Sequence, residues 1–255
     1  GNLYSSTTGR VFIVYNDGAY PSSTASADVT ISGEASSSFG QSLAAGDFNA
    51  DGEVDLAVGA NTYNSAYGRV YIFYNDGSYA SAAGSADVLI DGSFAATQFG
   101  SNLGSGDLNA DGKIDLIGQA SGAGGNGHGQ IYLFYNDGSI PTTSGTAEVT
   151  ITGESTNTFL GNGLVVADFN NDGRADLASG STGYSTNTGR TYIFYNDGSI
   201  PTTAATADVI MTGEATTNYY GGALAAADFN NDGRADLAVG AYGYASSKGR
   251  VYMYT

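Results

Sequence analysis

Residues 69–74, RVYIFY, carry apolar side chains at both odd and even positions. Strand side chains alternate between faces, so this segment predicts a strand covered on both sides. The pattern recurs at 10–15 (RVFIVY), 130–135 (QIYLFY), 190–195 (RTYIFY) and 250–254 (RVYMY). Glycine precedes every copy, and Asn-Asp-Gly follows the first four, so each of those strands ends in a turn. A shorter strand follows each turn: ADVTI (27–31), ADVLI (86–90), AEVTI (147–151) and ADVIM (207–211). Two further strands are predicted per unit. One is the stretch that begins FGQSLAAGDF (39–48), FGSNLGSGDL (99–108), LGNGLVVADF (160–169) and YGGALAAADF (220–229). The other is DLAVGA (55–60) and its copies. No apolar pattern of period 3.6 runs through the chain, so helices are not expected.

The units repeat. The aspartates at 47, 107, 168 and 228 are 60, 61 and 60 residues apart. Four short antiparallel strands per unit, with sheets apolar on both faces, predict an all-β fold of stacked four-stranded blades, a β-propeller. A β-helix has much shorter repeats. Residues 1–255 read as one such domain of about four blades. The third strand type occurs five times and the others four, so the chain begins and ends on the same strand type. Three arrangements accommodate the extra strand: a piece of a longer propeller, two chains completing one larger ring, or four blades closing alone with one strand spare.

Between the first and second strands lies an acidic loop, DFNNDGRAD at 168–176. Oxygen-bearing side chains stand at its positions 1, 3, 5 and 9, and glycine at position 6. All four copies keep this spacing. Like charges this close repel, so an offsetting cation is expected. Hard cations such as Ca²⁺ take six to eight oxygens, and an Asp-x-Asn-x-Asp-Gly turn points positions 1, 3 and 5 inward together. Position 7 is Glu53, Lys113, Arg174 or Arg234, a mixture of charges that suits use of the backbone carbonyl alone. The twelfth residues, Val58, Gly118, Ser179 and Val239, cannot supply the closing glutamate of an EF-hand. The expectation is four calcium loops of another kind. The YNDG segments, with no further acids at ligand spacing, read as plain turns.

Charge agrees with that reading. The chain has 25 acidic and 8 basic residues and a formal charge of −17. This argues against nucleic acid and against docking on anionic lipid. Four bound Ca²⁺ would bring the formal charge to −9. The absence of cysteine excludes disulfides and thiolate metal sites. No apolar run is long enough to span a membrane, so no membrane insertion is expected. Gly1-Asn2 reads as the start of a processed or excised chain.

Phe-Gly, an aspartate-rich loop and then DLAVGA together resemble the FG-GAP repeat of integrin α-subunit propellers and their bacterial and fungal relatives. The resemblance covers nearly the whole chain. It implies that the calcium loop joins the first two strands of each blade and that the propeller serves adhesion or ligand binding, outside the cell or on its surface. Carried over by position, the implied metal ligands are Asp47, Asn49, Asp51, the Glu53 carbonyl and Asp55. The second set is Asp107, Asn109, Asp111, Lys113 and Asp115, and the third is Asp168, Asn170, Asp172, Arg174 and Asp176. The fourth is Asp228, Asn230, Asp232, Arg234 and Asp236. The sequence departs from the family pattern at Leu160-Gly161 and Tyr220-Gly221. It also lacks proline after Gly59-Ala60, Gln119-Ala120, Gly180-Ser181 and Gly240-Ala241. Propellers of this family commonly have seven blades.

The loops between strands two and three, at 61–68, 121–129, 181–189 and 241–249, vary between units and carry Tyr63, Tyr67, Tyr184, Tyr242 and Tyr244. Tyrosine among Ser, Gly and Asn suits recognition of a protein or a glycan. The blander expectation is that these loops only solubilise. His128 is the single histidine and reads as a loop residue. No nucleophile elbow with a partner histidine stands in the chain, and the grouped carboxylates are committed to metal, so a binding or structural module is expected rather than an enzyme. Arg10, Arg69, Arg190 and Arg250, with Gln130 in the remaining unit, are expected to pair with Asp28, Asp87 or Asp208 of the neighbouring strand.

Overall fold

The computed structural model describes residues 8–255, so Gly1-Asn2 and the reading of them lie outside the described residues. Among the described residues seventeen strands form five antiparallel sheets in strict chain order. The first sheet pairs β1 (Arg10–Ile13) with β2 (Val29–Ser32). The second holds β3 (Ser42–Gly46), β4 (Asp55–Ala60), β5 (Arg69–Phe73) and β6 (Val88–Asp91). The third holds β7 (Phe99–Gly106), β8 (Asp115–Ala120), β9 (Gln130–Phe134) and β10 (Val149–Thr152). The fourth holds β11 (Leu160–Ala167), β12 (Asp176–Ser181), β13 (Arg190–Phe194) and β14 (Val209–Thr212). The last holds β15 (Tyr220–Ala227), β16 (Asp236–Ala241) and β17 (Arg250–Tyr254). This is the all-β, blade-by-blade architecture that the repeat predicts.

The core is a series of layers, one between each pair of neighbouring blades. Val70, Ile72 and Ile90 of one blade meet Phe99, Leu116 and Phe134 of the next. Ile117, Ile131 and Leu133 then meet Leu177, Tyr192 and Phe194. This explains why the third strands β5, β9 and β13 are buried on both faces. β17 has the same pattern, but among the described residues no blade packs against its outer side. Val251 is 66% and Met253 53% exposed, whereas the corresponding Val70 and Ile72 are fully buried.

Two glycine-bearing motifs make the joint between blades. The glycine before each third strand forms a parallel bridge to the first residue of the next blade: Gly68 to Phe99 and Gly189 to Tyr220. At Gly189 φ is +85°, and a Cβ would stand 2.1 Å from the carbonyl oxygen of Tyr220. Only glycine permits that approach. The ring of Phe99 then turns into its own blade, edge-on to Tyr132 at 5.7 Å and Phe134 at 6.0 Å.

A four-blade ring closed on itself needs β17 to pair with the Ala-Asp-Val strand of the first unit. That pairing is not made: β2 pairs with β1, and β17 is an edge strand among the described residues. The short connection from β1 to β2 costs less loop entropy than closure across the whole chain.

Candidate functional site

Each acidic loop joins the first and second strands of its blade and closes on itself through backbone N–H groups. In the first, Asp47 accepts from Asp51 N at 3.1 Å and Gly52 N at 2.9 Å. Asn49 Oδ1 accepts from Asp51 N at 3.0 Å, and Asp51 Oδ1 accepts from Glu53 N at 2.8 Å. The loops at Asp107, Asp168 and Asp228 repeat these bonds. Positions 1, 3 and 5 are thereby gathered on one short turn, and no ion pair between described residues neutralises them. As they stand, no three acidic or imidazole groups among the described residues converge tightly enough to enclose a metal. The donor set is nevertheless suited to a hard cation. A carboxylate has about four lone-pair sites, and the N–H groups occupy only some of them.

The ninth position differs from the other three. Asp55, Asp115, Asp176 and Asp236 are buried, whereas Asp51, Asp111, Asp172 and Asp232 are exposed. Asp115 Oδ2 accepts from Leu108 N at 2.7 Å and Asn109 N at 3.2 Å, and its Oδ1 accepts from Asn136 N at 2.8 Å. Asp55 and Asp176 latch their loops in the same way, to Phe48 and Asn75 and to Phe169 and Asn196. Burial pushes the carboxyls of Asp55, Asp115 and Asp176 above the ordinary aspartate range, against the backbone N–H groups that favour the charged form.

The YNDG segments are turns, but their asparagines do more than turn the chain. Asn136 Nδ2 donates to the carbonyl of Phe48 at 2.9 Å, and Asn196 Nδ2 to that of Leu108 at 2.6 Å, each in the preceding blade. Asn196 also reaches Ala175 O at 3.3 Å. The third-strand turn of one blade thus holds the acidic loop of the blade before it. In the sequence this role has the same signature as an ordinary turn.

The opposite end of each blade carries the variable loops. Tyr63, Tyr184 and Tyr244 are half-buried beneath guanidinium groups: Arg69 stands 3.9 Å from its ring, and Arg190 and Arg250 each 3.6 Å from theirs. Three consecutive left-handed residues shape each of these turns, such as Asn64, Ser65 and Ala66. Tyr67 is half-buried and its carbonyl accepts from Phe99 N at 3.2 Å. Tyr242 alone of the five is well exposed, at 58%, and stacks on Tyr219 with ring centroids 4.7 Å apart. His128 is half-buried, and its carbonyl accepts from Leu160 N at 3.0 Å.

The arginine pairing expected from sequence is corrected. Asp28, Asp87 and Asp208 accept instead from the backbone N–H groups of Tyr15, Tyr74 and Tyr195. The arginines reach back to the glutamate that ends the previous blade: Arg190 to Glu154 at 2.8 Å, Arg250 to Glu214 at 3.1 Å and Arg69 to Glu34 at 3.8 Å. Arg69 also binds Asp91 at 2.5 Å. The aspartates lie at the wrong end of the strand for the guanidinium. The repeats carry a signal of the true pairing: where Gln130 replaces arginine, Ser93 replaces glutamate.

Blades stacked in chain order, glycine joints and an aspartate-rich loop between the first two strands define a propeller-type repeat module. The FG-GAP repeat family matches at residues 39–73 and 220–254, and the FG-GAP-like repeat family at 107–179. The chain is an FG-GAP repeat protein. It is similar to phosphatidylinositol-glycan-specific phospholipase D of Homo sapiens, 41% identical over 37% of this chain and 13% of the relative. The same-named protein of Dictyostelium discoideum is 29% identical over 72% of this chain and 23% of its own length. Integrin alpha-IIb of Mus musculus is 33% identical over 58% of this chain and 15% of its own. The matched region therefore spans less than a quarter of each of these relatives. Among the described residues no helix is long and apolar enough to cross a membrane.

Proposed function

We propose that the chain is a calcium-binding, non-catalytic recognition module, extracellular or at the cell surface, whose four ions are structural and whose variable end binds a protein or glycan ligand. One observation carries the calcium reading. Four loops gather oxygen side chains at positions 1, 3 and 5 on an exposed turn, with no ion pair among the described residues to offset their charge. When bound, the ion supplies that offset. Asp47, Asn49 and Asp51, and their counterparts in the other loops, would hold it. The net charge of −17 disfavours nucleic acid as a partner.

Binding to the folded chain alone makes ion affinity part of folding stability. At free calcium a hundredfold above Kd, one site contributes about 2.7 kcal/mol. Native mass spectrometry before and after chelation, with thermal melts of the same samples, tests the reading. Four ions per chain and a clear fall in Tm on chelation are expected. No bound ion and an unchanged melt would overturn it. The same spectra count chains, so a dimer completing a larger ring is read directly. A second reading, an accessory domain of a larger surface protein or secreted enzyme, draws on the phospholipase relatives, of which the matched region is a small part.

A further inference from the structure

On the end opposite the acidic loops, the first-strand starts and second-strand ends of four blades enclose a groove of about 410 Å³. That volume lies within the ~300–1,000 Å³ usual for small-molecule sites. Its side chains include Asn61, Gln98, Asn102, Ser121, Asn162 and Tyr242, and no charged residue lines it. In a chain of net charge −17, a concave surface made of amides and hydroxyls selects for a neutral, hydrogen-bonding ligand.

Three features make this more than a polar seam. Asn61 donates through Nδ2 to Ser101 Oγ at 3.2 Å, while its Oδ1 is buried with no hydrogen-bond partner. A buried acceptor left unmade is costly, and because this oxygen has no accessible surface the Asn61 amide must turn toward the groove for a ligand hydroxyl to satisfy it. Several amides are already oriented: Asn102 Nδ2 donates to Gly161 O and Asn162 O, both at 3.1 Å, and Asn162 Nδ2 to Thr182 Oγ1 at 2.6 Å. At the far wall the exposed ring of Tyr242, backed by Tyr219, offers an apolar face beside the amides. Fixed amides beside an aromatic plate match a pyranose, which presents hydroxyls at its rim and C–H groups on its face. The four positions after the second strand, Asn61, Ser121, Thr182 and Tyr242, are those where proline is missing from the motif, so the departures supply the polar rim.

We propose that this groove is a binding site for a neutral saccharide, with Tyr242 as the stacking platform and Asn61 and Asn162 as hydrogen-bonding groups. The proposal rests on the recognition reading above and gives it a ligand class. Isothermal titration with lactose, maltotriose and cellotriose tests it, with sialyllactose as the acidic probe and an uncharged tripeptide as the protein-like probe. At least one neutral saccharide binds, sialyllactose binds more weakly than lactose, and Tyr242→Ala and Asn162→Ala each weaken binding about tenfold. Tyr20→Ala, at an exposed tyrosine away from the groove, leaves binding unchanged. Thermal melts in calcium show that each variant is folded. Absence of saccharide binding at millimolar concentration overturns the proposal, as does binding that survives both groove substitutions. Binding of the tripeptide alone overturns it while leaving the recognition reading intact. A melt insensitive to chelation removes the calcium reading without touching this one.

Discussion

Replacing Asp115 by asparagine keeps the shape of the side chain and changes only what its second oxygen can do. Asp115 is fully buried and accepts three backbone hydrogen bonds, two on Oδ2 and one on Oδ1. An asparagine can turn its oxygen toward Leu108 and Asn109, but its NH₂ then faces the N–H of Asn136. One buried backbone donor is orphaned, at a cost of about 1–3 kcal/mol, and the bonds that remain lose their charge-assisted strength. Relief of the buried charge offsets part of this, since burial already raises the Asp115 carboxyl above its ordinary range. The expected net loss is about 2 kcal/mol. Urea unfolding in the presence of chelator measures it without any contribution from calcium. If Asp115→Asn is as stable as the parent chain in chelator, the latch contributes nothing and the reasoning fails. A loss that appears only with calcium present would make Asp115 a ligand instead of a latch.

Three further outcomes follow from the same geometry. Because the folded-state carboxyls of Asp55, Asp115 and Asp176 sit above their unfolded values, the folded chain binds more protons in that interval. Their contribution to stability therefore grows as pH falls toward the ordinary aspartate range, and the gap between the parent chain and Asp115→Asn should widen on acidification, read from urea midpoints; a narrowing gap refutes the sign. Gly189→Ala drives a Cβ to 2.1 Å from Tyr220 O and is expected to cost about 3 kcal/mol or more, whereas Gly249→Ala, with its nearest contacts at 4.0 Å, costs only about 1 kcal/mol in equilibrium unfolding. Asn196→Ala leaves the carbonyls of Leu108 and Ala175 without their donor and is expected to cost about 1–3 kcal/mol, more than Asn136→Ala, which gives up the contact to Phe48 O.

Much of this architecture is legible because the chain writes it repeatedly. Apolar residues at both parities in RVYIFY mean burial on two faces, and β5 bears that out. The same reading fails at β17, because burial there depends on a neighbouring blade and not on the strand's own residues. The arginine partners were misassigned for a geometric reason. Asp87 is closer in sequence to Arg69 than Glu34 is, but Asp87 stands at the far end of the paired strand, beside Tyr74. The linked exchange of Gln130 and Ser93 held the correct answer. Asn196 was invisible for another reason: its contact with Leu108 spans 88 residues and leaves no local signature. Tyr63, Tyr184 and Tyr244 looked free because a sequence does not show which cation lies over a ring.

The two ends of a blade answer to different constraints, and that difference accounts for where the repeats agree. At the acidic end, each loop is held by its own ninth aspartate, and those at Phe48 and Leu108 also by an asparagine of the next blade. A change there disturbs two blades, so the copies stay alike. At the opposite end the joint requires only the glycine and the backbone of the residue it meets. The side chains beyond the joint are left to vary, and they do: Asn61, Ser121, Thr182 and Tyr242 occupy one equivalent position. Gln119 shows how far this freedom goes. It stands where the other units have Gly59, Gly180 and Gly240, and its Nε2 donates to Leu160 O at 3.0 Å, so an added amide braces the next blade without breaking the stack. Chemical diversity thus collects on one rim because the packing rules of the fold bear least on side chains there.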